Sequence, residues 1–485
     1  MKKTTLSLFL LLALPIASQV HAQNKAELEK CVTSISKEND MKHATLSVEV
    51  YNITKKQVVY SHDAQRSATT ASLNKLFTTA TGFEKLGSNF RFKTTLSYSG
   101  QIDNNGVLHG NIYIIGGGDP LLGSYRYRQT TPDTLFREWA TVIKNNGIKS
   151  IDGRICYDAT IFDNQPLHDS WQWGDIGNYY GSGVCGLNFH ENMYFIYFDA
   201  GKKIGYPANV NHTIPKDLNV RYYNEVLTGP ENSGDRVIIY GDPRNAMRLY
   251  TGTVPLGKNN FAVRGALPSP ANACAELFAR YLRTHDINVS NSVTEIFSKR
   301  ENTSTLLEYY SNTYYVIAQY TNLTSNNIYA ESIFKYLGYQ QSGKGTFAQG
   351  SKAIYDYITS LGLSTTEIRI VDGSGLSRLN RATADFMCQF LFKTAQKKTF
   401  NDFAKSLARV GESGTAKDLL PNLPKSIDMR LKSGTMEGVK NYAGYVTLSN
   451  GDLVCFTILC NNYDCSNTAV KSKLEKILFN IATLK

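Results

Sequence analysis

The chain has 485 residues and a formal net charge of +11, and its length predicts two or three domains rather than one hydrophobic core. The sequence has no run of five or more basic residues, so we do not expect a nucleic-acid-binding protein. Its cysteines and histidines lack metal-ligand spacing, and we expect neither a metal nor an organic cofactor.

Residues 1–22 have the pattern of an export signal. Two lysines precede an apolar stretch from Leu6 to Ile16, and Val20-His21-Ala22 has the small-residue pattern of a cleavage site. A transmembrane anchor is the alternative, but the apolar run is shorter than the ~20 residues that a span needs. We therefore expect an exported, periplasmic protein.

The sequence has eight cysteines, and an oxidising compartment permits disulfides. Cys460 and Cys465 flank a short polar loop and are the pair that we expect first. Cys388 and Cys455 lie in apolar runs, a position that favours buried thiols.

The predicted elements begin with a β-hairpin over Thr45–Tyr60, where apolar and polar residues alternate on both sides of a polar turn. Apolar residues at helical spacing then predict a helix over Ser72–Leu86. A long stretch rich in strand patterns follows, with one predicted helix over Pro270–His285. The strands predicted in this stretch are Phe90–Ser99, Val107–Ile115, Ile151–Asp158 and Val237–Tyr240.

Helical spacing returns over Thr305–Gln319 and Asn326–Leu337, and the chain ends in an amphipathic helix. The apolar stripe from Leu474 to Leu484 predicts that this last helix packs on a sheet. A position on a membrane surface is the alternative, so we expect at most a loose membrane association. Three strands are predicted before it, namely Met429–Lys432, Asn441–Leu448 and Leu453–Leu459.

This order of elements predicts a domain that is split by an insertion. We expect its first part over residues 23–92 and its second part over residues 299–485. Residues 93–298 are expected to form inserted, β-rich domains. The hairpin and the first helix would then share a sheet with the last three strands.

Ser72-Leu73-Asn74-Lys75 matches the pattern S-x-x-K at the start of a predicted helix. Residues i and i+3 share a helix face, so the amine of Lys75 can reach the hydroxyl of Ser72. A serine is a weak nucleophile until a base removes its proton, and a lysine serves as that base when burial and a neighbouring cation lower its pKa. Two further matches, at Ser34–Lys37 and Ser332–Lys335, make the pattern weak by itself.

Two further motifs follow the first in the order found in lysine-assisted serine acyl-transfer enzymes. In Ser325-Asn326-Asn327, the Ser325 hydroxyl can pass a proton to a leaving group, and the Asn327 amide can hold the lysine and the substrate. In Lys432-Ser433-Gly434-Thr435, Lys432 is expected to supply a fixed positive charge. There, Ser433 can bind a substrate carboxylate and Gly434 permits close approach of the substrate. The N–H of Thr435 can form an oxyanion hole with that of Ser72.

A fourth segment, Asp372 to Arg378, has two glycines, two serines and an arginine. An ordinary turn explains its glycines, whereas Arg378 makes a two-pronged carboxylate contact possible.

With these motifs the chain resembles the class C low-molecular-mass penicillin-binding proteins, the penicillin-binding protein 4 type of D-alanyl-D-alanine carboxypeptidase and endopeptidase. The resemblance covers essentially the whole mature chain. Besides the four motifs it rests on Gly116-Gly117-Gly118-Asp119-Pro120 and Gly444-Tyr445-Val446.

The resemblance implies a mixed α+β fold: a β-lactamase/transpeptidase-like domain, with an antiparallel sheet flanked by helices, that carries strand-rich inserted domains. It implies that Ser72 is acylated, that Lys75 is the base, and that Ser325, Asn327 and Lys432 complete the site. By the same likeness Ser433 binds the terminal D-alanine carboxylate, and Asp175 and Arg378 lie in the substrate pocket. The implied partners are peptidoglycan peptides as substrates and β-lactam antibiotics as covalent inhibitors.

Two other functions stay open from the sequence. A β-lactamase-like hydrolase would need a device for fast deacylation, and the spacing of about 250 residues between the first two motifs disfavours it. A non-catalytic envelope-binding module would keep the fold, but a decayed site would be expected to lose one of its motifs.

Overall fold

The computed structural model describes residues 24–216, 218–296 and 302–485. The predicted export signal at residues 1–22 lies outside them. Within these ranges the helices are α1 (24–36), α2 (Asn74–Lys85), α3 (Pro132–Asn145), α4 (Pro270–Thr284), α5 (Tyr314–Thr324), α6 (Asn327–Ser342), α7 (Phe347–Ser360), α8 (Ala384–Thr394), α9 (Phe400–Ser406) and α10 (Asn467–Ala482).

The strands in the same ranges are β1 (Thr45–Asn52), β2 (Gln57–His62), β3 (Ala68–Thr69), β4 (Lys93–Tyr98), β5 (Gln101–Ile102), β6 (Val107–His109), β7 (Ile112–Ile115), β8 (Ser150–Ile151), β9 (Ile155–Asp158), β10 (Met193–Asp199), β11 (Asn209–Ile214), β12 (Arg221–Asn224), β13 (Leu227–Gly229), β14 (Arg236–Tyr240), β15 (Met247–Pro255), β16 (Phe261–Ala266), β17 (Asn288–Val289), β18 (Thr294–Glu295), β19 (Ser304–Tyr310), β20 (Arg381–Ala382), β21 (Ala408–Arg409), β22 (Asp428–Met436), β23 (Val439–Thr447) and β24 (Leu453–Asn461).

The chain divides into two compact units. Unit 1 comprises Met1–Ser88, Ala318–Ser325 and Ile354–Lys485, of which residues 1–23 are not described, and unit 2 comprises Asn89–Ile317 and Asn326–Ala353. The domain boundaries expected at residues 92/93 and 298/299 stay a prediction.

Unit 1 contains a six-stranded antiparallel sheet in the order β2-β1-β24-β23-β22-β21. Its centre joins the two ends of the chain, since Thr45 of β1 lies opposite Asn461 of β24. The predicted hairpin and the three predicted C-terminal strands are therefore confirmed, and they belong to one sheet.

Helices cover both faces of this sheet. On one face the apolar stripe of α10 is buried together with Leu28, Val32 and Ile35 of α1, which confirms packing on the sheet as the role of the stripe. Burying a Leu or Ile side chain stabilises a fold by about 1.5–3 kcal/mol, so this helical layer contributes substantially to the stability of unit 1. On the other face α8 packs against β1 and β24, and Phe77 of α2 contacts α8.

Unit 2 is rich in strands, and its largest sheet has the order β18-β9-β7-β4-β19 within the described residues. Helices α3 and α4 pack together through aromatic side chains, and the Trp139 and Phe278 rings lie edge to face at 5.2 Å. Helix α3 is absent from the sequence expectations. Thr131 caps it by accepting from the N–H of Thr134, and Pro132 begins it, a combination typical of helix starts.

One helix prediction is partly wrong. The segment predicted as a helix over Thr305–Gln319 begins as strand β19, and only its end belongs to α5. Strand β19 pairs antiparallel with β4, so its backbone hydrogen bonds go to a neighbouring strand that local spacing does not reveal. None of the helices in the described ranges is long and apolar enough to span a membrane.

The predicted Cys460–Cys465 disulfide is not present, because Cys460 and Cys465 are both free thiols. Cys460 is fully buried in the core beside α10, whereas Cys465 lies beside Asp40. Cys388 and Cys455 are buried thiols as predicted.

Glu49 of β1 is buried, its Oε2 atom lacks a hydrogen-bond partner, and burial raises its pKa to about 7. The folded protein then binds more protons than the unfolded chain between about pH 4.5 and pH 7, so stability falls as the pH rises through that window. We expect Glu49→Gln to raise the free energy of unfolding by about 2 kcal/mol at pH 8 and to leave it nearly unchanged at pH 4.5. Urea denaturation at both pH values measures this. The control is Glu27→Gln, at an exposed carboxylate. An equal effect of Glu49→Gln at both pH values would contradict the prediction.

Candidate active site

Ser72 lies in a short 3₁₀ turn, Ala71–Leu73, that leads directly into α2. The preceding residue, Ala71, has φ +45°, a strained conformation that occurs mainly where surrounding structure enforces it. The neighbours Ala71 and Leu73 are buried while Ser72 remains partly exposed. The first motif therefore sits at a helix start, as predicted, with its hydroxyl accessible.

Lys75 is fully buried one turn further along α2. Its Nζ atom lies 3.1 Å from Ser72 Oγ and 2.7 Å from the carbonyl oxygen of Ser374. The first distance is within the reach that a general base needs. The carbonyl of Ser374 fixes the amine in that position.

The segment from Asp372 to Arg378 forms the loop that provides this carbonyl. The carboxylate of Asp372 accepts hydrogen bonds from the backbone N–H groups of Gly375 and Ser377, each at 2.7 Å. Gly375 has φ +82°, and a Cβ there would lie 1.9 Å from the carbonyl oxygen of Ala71. The loop thus packs directly against the turn that carries Ser72. Arg378 is exposed and donates to the carbonyl of Glu437 at 3.3 Å.

A second hydrogen bond between motif residues joins Lys432 of the third motif to Ser325 of the second motif. The Nζ atom of Lys432 donates to Ser325 Oγ at 2.9 Å and to the carbonyl of Ser433 at 2.7 Å. Ser325 has φ +58°, so its backbone is also strained. The structure therefore brings the second and third motifs together, although they lie more than a hundred residues apart.

The surroundings of Lys432 change the pKa of its amine. Burial of Lys432, and then the positive charges of Lys75 and Lys440, lower the pKa of Lys432 well below its ordinary value. Lys432 therefore holds a proton less firmly than an ordinary lysine does, and its role as a fixed cation stays a prediction.

Strand β22 carries the remaining residues of the third motif. Ser433 Oγ donates to Thr415 Oγ1 at 2.9 Å. A Cβ at Gly434 would lie 2.7 Å from the carbonyl oxygen of Thr70, so glycine is required by the packing of β22 on the Ser72 turn. Thr435 is exposed, and its hydroxyl accepts from Lys440 at 3.0 Å.

Asn327 and Asp175 belong to unit 2, where both of them form a hydrogen bond with Tyr180. The side-chain amide of Asn327 donates to the carbonyl of Tyr180 at 2.7 Å. The hydroxyl of Tyr180 in turn donates to Asp175 Oδ1 at 3.3 Å. Both predicted residues therefore lie next to Tyr180.

The two other S-x-x-K matches have different environments. The amine of Lys335 is 2.7 Å from Asp163 Oδ1, and Ser332 accepts from Asn188 at 3.1 Å, so this pair belongs to the interior of unit 2. Ser34 and Lys37 are both exposed at the end of α1. Of these three serine–lysine pairs in the described residues, Ser72 and Lys75 are the pair joined by a hydrogen bond.

Two groups next to the motifs have no counterpart in the sequence expectations. One is Thr415, which accepts from Ser433; the other is the backbone carbonyl of Ser374, which binds Lys75. A backbone carbonyl has no sequence signature. Thr415 follows Ser413-Gly414, which by itself predicts a turn.

The sequence pattern of the D-Ala-D-Ala carboxypeptidase 3 (S13) family matches residues 28–482. The chain belongs to this S13 family. A D-alanyl-D-alanine carboxypeptidase from Actinomadura sp. (strain R39) is 26% identical over 486 residues, covering 94% of this chain and 85% of that protein. The D-alanyl-D-alanine carboxypeptidase DacB from Haemophilus influenzae is 24% identical over 444 residues, which cover 88% of this chain and 89% of that protein.

The crystal structure of penicillin binding protein 4 from Haemophilus influenzae has a TM-score of 0.80 and 22% identity, and covers 94% of this chain and 99% of that one. A second structure of that protein, in complex with a β-lactam, has a TM-score of 0.75 and 22% identity, with coverage of 93% and 98%. These likenesses confirm the predicted fold class. Together with the S13 match they confirm the penicillin-binding protein 4 type and the enzyme class, a serine-type D-Ala-D-Ala carboxypeptidase.

Proposed function

We propose that the chain is an exported S13 enzyme that cleaves peptidoglycan peptides and crosslinks after a D-alanyl residue through an acyl-enzyme on Ser72. The observation that carries the assignment of residues is the 3.1 Å contact between Lys75 Nζ and Ser72 Oγ. β-Lactams are proposed to acylate the same oxygen.

In the proposed first half-reaction, neutral Lys75 takes the proton of Ser72 while Oγ attacks the carbonyl carbon of the penultimate D-alanine. Negative charge develops on the carbonyl oxygen, and the backbone N–H groups of Ser72 and Thr435 are proposed to stabilise it. Loss of one such donor typically costs about 3 kcal/mol of transition-state stabilisation.

Collapse of this intermediate breaks the peptide bond and requires a proton on the leaving amine. Ser325 is proposed to deliver it, because its hydroxyl is hydrogen-bonded to the amine of Lys432. As Ser325 gives its proton to the leaving amine, it is proposed to take up the proton that Lys75 removed from Ser72, so that Lys75 is neutral again. In the second half-reaction Lys75 takes a proton from a water molecule whose oxygen attacks the ester carbon. It then returns that proton to Ser72 Oγ as the ester bond breaks, which releases the peptide and restores Ser72.

The terminal carboxylate of the substrate is proposed to bind at Ser433 and Arg378. Asn327 is proposed to hold the substrate amide, and Asp175 to face the amino end of the third side chain of the stem peptide.

Mass spectrometry of the intact protein after treatment with penicillin tests this proposal. We expect one added penicillin per chain, mapped to the peptide that contains Ser72, and an adduct that persists for longer than the assay. No adduct, or an adduct on another serine, would refute the role of Ser72. Rapid loss of the adduct would instead favour a β-lactamase-like hydrolase.

A further inference from the structure

Strands β12 to β15 form a four-stranded sheet of unit 2, and its two faces differ. Side chains alternate between the faces along each strand, and Arg248, Tyr250 and Ile239 are buried on the inner face. Strands β12 and β13 pair with one edge of β15 in the same register, and β14 pairs with its other edge. The outer face of this sheet takes part in no step of the proposed reaction.

A row of apolar side chains crosses the outer face. Tyr223 of β12 lies opposite Leu249 of β15, which lies opposite Tyr240 of β14. The ring of Trp173 continues the row, since it stacks on the Tyr240 ring with the centroids 6.2 Å apart and the planes inclined by 26°. Adjacent strands are about 4.8 Å apart, so the row is roughly 16 Å long. We call these four residues the aromatic row.

The aromatic row is accessible to a ligand. Tyr223 is 66% exposed and Trp173 is 60% exposed, and Ile238, two residues before Tyr240 on β14, is 41% exposed. Single apolar side chains are common on protein surfaces, whereas contiguous large ones mark binding sites. Leu249 and Tyr240 are half-buried, so they connect the exposed rings into one surface. The row is therefore a candidate for binding rather than a part of the core.

Polar groups are interspersed among these side chains. Thr251 and Thr253 of β15 lie on the outer face beside the aromatic row and are half-buried. Arg221 and Arg236 are exposed on β12 and β14, and Glu225 is exposed directly after β12. Two arginines and one glutamate leave the face with only a small positive charge. The outer face therefore offers hydrogen-bonding groups without a strong electrostatic field.

Such a surface suits a sugar polymer. The face of an aromatic ring carries negative quadrupole charge and attracts the weakly positive C–H groups on the face of a pyranose ring. The hydroxyl and acetamido groups around the pyranose rim can bond the threonines and arginines. A membrane surface would instead favour a cluster of basic residues, and threonine is rare among the residues that dominate protein interfaces. An elongated open row also fits a linear polymer better than a small ligand, which usually binds in a concave pocket.

We propose that the aromatic row binds the glycan strand of peptidoglycan, a linear polymer of β-linked N-acetylated sugars. Tyr223 and Trp173 stack on sugar rings, and Arg221 and Arg236 bond the groups on the rims of those rings. The contact keeps the enzyme on the polymer to which its peptide substrates are attached. The choice of this glycan rests on the proposed function, whereas the binding itself requires neither Ser72 nor acylation.

Isothermal titration calorimetry tests the site with two probes, a hexamer of β-1,4-linked N-acetylglucosamine and peptide-free glycan strands of peptidoglycan. We expect saturable binding of both. Tyr223→Leu should weaken it about tenfold, the effect of one lost ring stack, because leucine keeps an apolar side chain without an aromatic face. Trp173→Leu should weaken it in the same way. Tyr223→Leu should also slow D-alanine release from intact peptidoglycan but keep kcat/KM for a short soluble peptide.

The matched control is Tyr310→Leu, because Tyr310 is 49% exposed on β19, in another sheet of the same unit. This variant should bind both glycans as the unmodified protein does. Absence of binding to the glycan strands, or binding that Tyr223→Leu leaves unchanged, overturns the proposal. If Tyr223→Leu instead loses binding to vesicles of anionic phospholipid, or loses a dimer in sedimentation, while glycan binding is unaffected, the row is a membrane or self-association surface and the proposal fails.

Two further measurements separate glycan binding from the proposed function. Ser72→Ala should bind the glycans as tightly as the unmodified protein, since its aromatic row is intact. Acylation by fluorescent penicillin is measured on the unmodified protein and on Tyr223→Leu. A chain that binds the glycans but is not acylated refutes the proposed function alone. Normal acylation without glycan binding refutes the role of the aromatic row alone.

Discussion

Ser72→Ala is expected to abolish both D-alanine release and covalent labelling by a fluorescent penicillin. The substitution removes the hydroxyl oxygen that lies 3.1 Å from Lys75 Nζ, and loss of a serine nucleophile from such a catalytic group lowers kcat by about a millionfold. Release of D-alanine from a short D-alanyl-D-alanine peptide and fluorescence of the protein band after denaturation measure the two effects. Folding of the variant is checked by its circular dichroism spectrum.

Ser34→Ala is the matched control, because Ser34 belongs to another S-x-x-K sequence and is exposed. We expect this variant to keep full labelling. Persistent labelling of Ser72→Ala would mean that another serine is acylated, and Ser332 would be the first to check.

Lys75→Met is expected to slow acylation by roughly a hundredfold to ten-thousandfold, the range for loss of a general base. Methionine keeps the unbranched apolar stem in a fully buried position but cannot take a proton from Ser72. Single-turnover acylation at saturating fluorescent penicillin isolates this step from binding.

Lys37→Met, at an exposed lysine, should leave the acylation rate unchanged. If the rate of Lys75→Met stays within about twofold of the original, the base is another group. Lys432 would then be the candidate, since its amine is hydrogen-bonded to Ser325 and burial lowers its pKa.

Short-range patterns in the sequence predict the elements that carry the site. Alternation predicts β1 and the last three strands, and helical spacing predicts α2, because each of these elements buries one face along its own length. Strand β19 is the exception. Its Leu306 and Leu307 suit a helix face as well as a strand, and pairing with β4 decides between the two, a contact that no local pattern contains.

The contacts of the candidate site are also of two kinds, those within one element and those between distant segments. The contact between Ser72 and Lys75 follows from helix geometry and is local. The contact between Lys432 and Ser325 depends on how distant segments fold, and motif order alone suggests it. The lowered pKa of Lys432 is a property of the folded interior, and no pattern in the motif predicts it.

The pairing of β1 with β24 also sets an order of assembly. Ribosomes make proteins from the N-terminus, so Ser72 exists long before the strand that carries Lys432, and the sheet closes only when β24 arrives. Until then β1 presents an unpaired edge, which is a template for aggregation. A chain that ends before Leu453 would still contain Ser72 and Lys432, but it would lack β24 and leave β1 and β23 without their shared neighbour. We therefore expect such a chain to be inactive and prone to aggregation.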